Sequence, residues 1–410
     1  MPSDPLTGPG RRWPKMARRL RVDEWLFAAT VGLTLFGVVM VYSASVVVAA
    51  EEQSNPFHYL VRQALWAMLG LGAMLFAMRF DYERFKDRRL VYGLLAVVIA
   101  LLFAVFAFPR VNGAHRWIRL FGFSVQPSEL AKLALVLFLA RHLERHAGEE
   151  HSLRAFIPCV LVTGALALLI VAEPDLGTAL MLLATCLILC FVAGLRARYL
   201  CALLFPAMIG FAALLVLVPW RMRRLMAFLD PWADPQGAGY QVVQSLIGLG
   251  SGGVHGLGFA QGKQKMFFLP FSHSDFIFAV VGEELGLVGT LAVLMTFLLF
   301  GWRGVRAALN APDRFGLLLG IGIVGQILTQ ALFNMSVVLS LVPTKGIPLP
   351  FVSSGGSSLV PLLFSVGMLL NISARCRAQQ RKSPSEFSSA DFGSLKTSAR
   401  TPWRWQVKGS

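Results

Sequence analysis

The chain is 410 residues long, 56% hydrophobic and only 15% charged, with a mean hydropathy of +0.63. That balance excludes an ordinary soluble domain, and continuous apolar runs of roughly 18–25 residues exclude a closed β-barrel, whose strands alternate. The formal charge of +16 gathers in short segments between the runs, the pattern of cytoplasmic loops and not of a nucleic-acid surface.

A basic tail over residues 1–23 carries Arg11, Arg12, Lys15, Arg18, Arg19 and Arg21. The apolar run behind it is too long for a cleavable signal, so it reads as a first spanning helix with the tail held inside. Apolar runs fall at 25–49, 60–79, 90–108, 126–140, 155–172, 176–193, 200–219, 275–300, 315–335 and 357–374. They predict an all-α integral membrane protein with about ten transmembrane helices over 24–376. A large outer loop, 220–273, lies between the seventh and eighth helices. Lys and Arg concentrate in the N-tail, in alternate loops and in the segment 377–410, which places both termini in the cytoplasm. That last segment, rich in Ser, Lys and Arg, reads as a disordered tail. The cysteines (Cys159, Cys186, Cys190, Cys201 and Cys376) lie in or just after apolar runs and imply no disulfide framework. Cys186 and Cys190 share a helix face with no His or carboxylate near in sequence, which favours packing over metal binding.

Basic residues that resist this topology cluster in two outer loops. Arg110, Arg116 and Arg119 lie in the first, and Arg221, Arg223, Arg224, Lys263 and Lys265 in the second. Retention for an anionic ligand and snorkelling to lipid headgroups both explain them. In the fourth run Glu129 and Lys132 share a face at i, i+3, either as a structural ion pair or as the polar wall of a cavity. Asp175, in Glu173-Pro174-Asp175-Leu176-Gly177-Thr178, is placed to cap the sixth helix.

Within the long loop, Tyr240–Gly250 sets Val242, Val243, Leu246 and Ile247 on one helical face, which predicts an interfacial or re-entrant helix. Gly248, Gly250 and Gly253 match GxGxxG by spacing, but no strand precedes them, so no dinucleotide site is read. The loop ends in His273-Ser274-Asp275, with Asp275 in the first turn of the next helix. A helix cap is the plain reading of that aspartate. The polar, Gly-rich loop around it favours a proton-accepting role instead, because a carboxylate at a membrane boundary is costly without a partner or a task. Glu283 and Glu284 fall near the middle of the eighth helix and need partners. Gln326, Gln330 and Asn334 step along the ninth helix as an interhelical hydrogen-bonding stripe. Pro343–Pro350 leads into Ser353-Ser354-Gly355-Gly356-Ser357-Ser358, either an anion-binding turn at a helix N-terminus or a flexible lead-in.

Together these motifs resemble the SEDS family of cell-wall polymerases from Trp25 to Cys376. The resemblance rests on Asn112–Ile118, Gln126–Lys132, Glu173–Thr178, Arg224–Gly286 and Gly346–Ser358. Pro343–Gly346 and the basic N-tail are similar to the division branch. Phe271 stands where that branch usually carries Glu, and Ser354 where the family carries Tyr. The resemblance implies a glycosyltransferase of the bacterial inner membrane, acting at the septum, that polymerises lipid II (the lipid-pyrophosphate-linked disaccharide-pentapeptide). It implies a class B penicillin-binding transpeptidase and other divisome membrane proteins as partners, and no nucleic acid. It makes Asp275 the catalytic aspartate and Glu129 and Lys132 a cavity pair. Arg116, Arg62, His273, Lys265 and Ser357 are expected to complete the substrate site, with Mg²⁺ or another divalent cation as a possible companion of the pyrophosphate. An elongation-type polymerase, a lipid II flippase and a non-catalytic divisome scaffold are the alternatives.

Overall fold

The computed structural model describes residues 22–110, 113–120, 123–149 and 152–386. Asn112, the basic tail up to Arg21 and the segment from 387 onward lie outside the described residues. The helices are α1 (Glu24–Gln53), α2 (His58–Arg79), α3 (Arg88–Ala104), α4 (Pro127–Arg145), α5 (Leu153–Ala172), α6 (Leu176–Val192), α7 (Ala197–Leu217), α8 (Pro219–Leu229), α9 (Tyr240–Gly252), α10 (Ile277–Leu309), α11 (Arg314–Val338) and α12 (Leu359–Glu386). Strands β1 (Ile118–Leu120) and β2 (Phe123–Val125) form an antiparallel hairpin with Arg119 opposite Ser124.

Each of the ten apolar runs is helical. By length and composition seven helices are able to cross a membrane among the described residues: α1, α2, α3 with its short extension, α5, α10, α11 and the segment Gly356–Cys376. The helix α6 and the first part of α7 are apolar but shorter. The helix α4 carries several charged residues, yet most of it is buried, Glu129 and Lys132 included. It packs chiefly against α3 and α11, with α5, α6 and α12 around it. Small residues set the closest approach. A side chain on Gly367 of α12 would meet the Met74 carbonyl of α2 at 2.4 Å, and one on Gly70 would meet Leu363 at 2.6 Å. Packing through small residues is how spanning helices associate where lipid offers no hydrophobic gain.

Ion pairs tie the loops at one end of the bundle. Arg303 of α10 bonds Asp23, the N-cap of α1, at 2.5 Å, while Arg375 meets Asp81 and Glu83, and Lys86 meets Glu144. The opposite end is built from the irregular chain 253–276, the segment 343–358 and the helix ends around them.

The break in α10 explains how irregular chain is accommodated there. At Gly286 the backbone adopts φ 66°, ψ −161° and the helical ladder stops. The carbonyls of Glu283 and Glu284 then accept from Leu257 N–H and Gly258 N–H at 3.0 Å each. In exchange Leu287 N–H and Val288 N–H donate to the carbonyls of Gly253 and Val254, at 2.9 and 3.2 Å. The loop thus takes over the backbone partners that the helix gives up, as polar main chain in apolar surroundings requires. The two carboxylates just before the break grip the same loop. Glu283 accepts from Lys263 N–H at 2.7 Å and from Gln264 N–H. Glu284 accepts from Ala260 N–H at 3.0 Å, from the Ser43 hydroxyl of α1, and from Lys265 Nζ at 2.8 Å.

Several expectations change. Glu283 and Glu284 lie near the start of α10, not its middle, and serve the loop. The helix α9 exists as expected, but Ser245, Gly248 and Gly252 join Val242 and Val243 on its buried face while Ile247 is exposed. The reason is close contact with α10: a side chain on Gly252 would sit 1.9 Å from the Gly282 carbonyl. The helix α8 and the hairpin were not anticipated; Pro219 at the first turn of α8 is the local signal for the former. The helix α12 continues to Glu386, past the expected start of the C-terminal tail at 377.

A Cβ at position 286 would lie 2.4 Å from Gly256 N and 2.5 Å from the Val254 carbonyl. Gly286→Ala is therefore expected to destabilise the fold by about 1–3 kcal/mol or more from backbone strain alone. Thermal unfolding in detergent, with limited proteolysis in 253–276, checks this; an unchanged melting temperature would contradict it.

Candidate active site

Asp275 sits in a turn, two residues ahead of α10. The N-cap of α10 is Phe276, with no side-chain capping bond, so Asp275 does not cap the helix. Three consecutive carbonyls hold the turn in place. That of His273 accepts from Ser354 N–H at 3.0 Å, that of Ser274 from the Ser353 hydroxyl at 2.6 Å, and that of Asp275 from Asn334 Nδ2 at 2.8 Å. The donors come from the segment 343–358 and from α11. The same Asn334 amide nitrogen donates to the Ile347 carbonyl at 2.7 Å, locking that segment to the turn. Gly346 lets the segment lie flat against the acid, since a Cβ there would meet Asp275 Oδ2 at 2.7 Å.

Among the described residues no side-chain donor bonds the Asp275 carboxylate. Burial pushes its pKa up to about 6, Arg116 and Arg224 pull against that shift, and Asp175 adds to it. A carboxylate poised in this range accepts protons near neutral pH better than an ordinary surface aspartate. Arg116, just before β1, donates through Nε to the Glu173 carbonyl at 3.2 Å and through a second nitrogen to the Pro174 carbonyl. Arg224 approaches from α8.

The surrounding helix ends are knitted together. Asp175 caps α6 as expected, accepting from Thr178 N–H and its hydroxyl at 3.2 and 2.8 Å, and from Gln126 Nε2 at 3.2 Å. Gln126, at the N-terminus of α4, also donates its main-chain N–H to Ser357 Oγ at 3.3 Å. Lower in the bundle Lys132 Nζ lies 2.7 Å from Glu129 and 2.9 Å from Gln330 Oε1. Gln330 Nε2 in turn donates to the Pro348 carbonyl at 2.9 Å. The stripe on α11 therefore runs from the intramembrane ion pair to the chain that braces Asp275. A cleft lined by Glu129, Lys132, Gln326, Gln330 and Ser365 opens beside it.

The residues singled out from sequence have separate fates. Asp275 and Arg116 converge, and Glu129 pairs with Lys132. His273 packs its ring on Tyr59 of α2, centroids 5.0 Å apart, within the held turn. Arg62 reaches the hairpin, donating to Ser124 Oγ at 2.7 Å. Ser357 is buried and its hydroxyl joins α4 to the chain before α12. Lys265 requires correction: it is almost fully buried and bonds Glu284 and Ser43, so it anchors the loop and is not available to a ligand. Sequence reasoning did not single out Gln126, Ser353 or Glu173 as site residues. The Glu173 carboxyl is fully buried with no hydrogen-bond partner on either oxygen. Burial pushes its pKa up to about 8, with Asp175 adding and Arg116 opposing.

Fold and site define a multi-pass membrane protein with an acid–arginine centre at one end of its bundle. Residues 24–378 match the profile of the cell cycle protein family that includes FtsW, RodA and SpoVE, and the chain belongs to that family. It is 44% identical over 360 residues to a probable peptidoglycan glycosyltransferase FtsW of Geobacter metallireducens, covering 87% of this chain and 96% of that protein. It is 41% identical to stage V sporulation protein E of Bacillus subtilis, covering 87% and 98%. A chain of a peptidoglycan synthase complex that coordinates polymerization and crosslinking superposes with a TM-score of 0.72 at 29% identity, covering 87% of this chain and 99% of that one. The rod shape determining protein RodA of Thermus thermophilus gives 0.64 at 28% identity, covering 87% and 97%.

Lys132→Met leaves the Glu129 carboxylate buried without its cation and is expected to cost about 3–5 kcal/mol. Adding Glu129→Gln removes the stranded charge and should recover much of that loss. Unfolding of both single variants and the double variant in detergent gives the coupling energy; additive effects would contradict the pairing.

Proposed function

We propose that the chain is a peptidoglycan glycosyltransferase that polymerises lipid II at the outer face of the inner membrane, with Asp275 as general base. The observation that carries this reading is the Asp275 carboxylate, braced through three successive carbonyls and flanked by Arg116 and Arg224. The acceptor sugar's 4-hydroxyl oxygen attacks the anomeric carbon of the donor. The bond from that carbon to the lipid pyrophosphate breaks, and the hydroxyl proton passes to Asp275. Charge develops on the departing pyrophosphate, where Arg116 and Arg224 are placed to stabilise it. Among the described residues no three His, Cys, Asp or Glu side chains are grouped to hold a metal ion. A divalent cation would therefore take its ligands chiefly from pyrophosphate and water.

The description of the family as cell cycle proteins supports a role at the septum, and the likeness to a chain of a synthase complex that coordinates polymerization and crosslinking supports a crosslinking transpeptidase as partner, with other divisome proteins proposed beside it. The distribution of Lys and Arg supports cytoplasmic termini and a catalytic end outside. A flippase reading is weaker than it looked from sequence, because Glu283, Glu284, Gln330 and Asn334 hold loop and segment in place and leave little polar lining for a path. A scaffold reading gives the acid–arginine centre no task.

Asp275→Asn is expected to abolish polymer while the purified variant unfolds at or above the wild-type temperature. The sign follows from the raised pKa. The folded state holds this proton more tightly than the unfolded one, so stability is lost as pH rises from about 4 to about 6. Removing the charge should return up to about 3 kcal/mol at neutral pH, the shift from 3.8 to about 6 at ~1.4 kcal/mol per unit. Gel analysis of glycan chains made from lipid II reads the first effect; near-normal polymer would sink the assignment.

Arg116→Lys keeps the charge but loses the bidentate fork, and Arg116→Ala loses both. Activity is expected to fall in the order wild type, Lys, Ala, with the main rise in KM. Full turnover and lipid II affinity in both variants would remove Arg116 from the pyrophosphate site.

A further inference from the structure

Glu173 lies outside the mechanism and is, among the described residues, the one carboxyl with both oxygens buried and without a hydrogen-bond partner. Its side chain has no exposed surface, and neither oxygen has a donor. An ionised carboxylate in such a place would lack both water and hydrogen bonds, so its neutral form is favoured. The adjacent cation is not wasted on it: Arg116 donates to the main-chain carbonyls of Glu173 and Pro174, which are neutral acceptors. The carboxyl of Glu173 therefore belongs to the same residue whose backbone already holds the guanidinium, and the Arg116 charge acts on it.

We propose that Glu173 is the positioning residue for Arg116: as a buried neutral acid it leaves the guanidinium's charge available to the substrate pyrophosphate, and on ionising it draws that guanidinium onto itself. The proposal rests on the assignment of Arg116 to pyrophosphate. Two charged groups act on Glu173. Asp175, from the start of α6, is engaged with Thr178 and Gln126, and Arg116 comes from the chain before β1. The helices α3 and α4 also pack on α5 and, among the described residues, add no charged group to these two. Burial, reinforced by Asp175, keeps the acid protonated up to about pH 8. A bound pyrophosphate, itself anionic, disfavours ionisation further, so the neutral form and the occupied site support each other.

The test is the pH dependence of polymerisation by the full-length chain on lipid II, from about pH 5.5 to 9.5. In the wild type, apparent affinity for lipid II should weaken above about pH 8, by up to tenfold per unit. Glu173→Gln cannot ionise. It should retain activity within about threefold of wild type at pH 7, keep the acid side of the profile, and lose the alkaline rise in KM. Persistence of that rise in Glu173→Gln, or loss of activity at every pH with an unchanged melting temperature, would overturn the proposal. Arg116→Ala, run alongside, separates the two ideas. If it is as active as wild type, the pyrophosphate assignment fails. If it is impaired while Glu173→Gln titrates like wild type, only the role of Glu173 fails. Should Glu173→Gln not fold, infrared spectroscopy of the wild type decides the matter. A protonated-carboxyl band present at pH 7 and lost above about 8 supports the proposal, and its absence at pH 7 overturns it.

Discussion

Everything at the end of the bundle that bears Asp275 follows from one constraint: irregular backbone set into an apolar bundle must find a partner for each of its polar groups. The break at Gly286 meets it by exchanging helical hydrogen bonds for bonds to the chain 253–258. Glu283 and Glu284 extend the same solution with side chains, gripping the N–H groups of 260, 263 and 264 and the ammonium of Lys265. A loop fixed on one side by a helix break and on the other by two buried carboxylates can carry an acid at a defined position. The donors of Ser353, Ser354 and Asn334 then set the turn that bears it.

The electrostatics depend on that rigidity. Arg116 acts electrostatically on both Glu173 and Asp275, Asp175 acts on both as well, and Arg224 acts on Asp275 from α8. Asp175 is satisfied by a cap and a glutamine and has a structural role. Asp275 is partly buried with, among the described residues, no side-chain donor on its carboxylate, and desolvation raises its proton affinity at a cost to stability. Such a cost fits the proton-accepting role proposed for it, since the surroundings of a reactive group favour the reaction over the fold. The stripe on α11 joins this centre to the Glu129–Lys132 pair, so a charge held in the bundle and an acid at its rim share supporting residues.

Much of the fold was legible in the chain because apolar run length and loop charge report directly on burial. All ten runs are helices, and α9 stands where the pattern of Tyr240–Gly250 put it. Asp275 stood out because a carboxylate next to an apolar run needs a reason. What could not be read is what depends on partners distant in sequence. Lys265 looked like an outer cation, but only the fold brings it to Glu284 and Ser43. Glu283 and Glu284 looked central because the run around them is continuous, and nothing local marks Gly286 as a break. The hairpin is too short for alternation to show, and the buried face of α9 is chosen by glycines against α10, not by hydrophobicity.

The central claim is that Asp275, held by these contacts, accepts the proton during glycan bond formation. The most direct measurement is the initial rate of polymerisation by the wild-type chain on lipid II held well below its KM, which reports the free protein, as pH is lowered from about 7.5 to 4.5. The rate is expected to fall as one proton binds, with its midpoint near 6 and about tenfold per unit below it. A rate that stays level to pH 5, or a midpoint near 4 where an ordinary aspartate titrates, would contradict it.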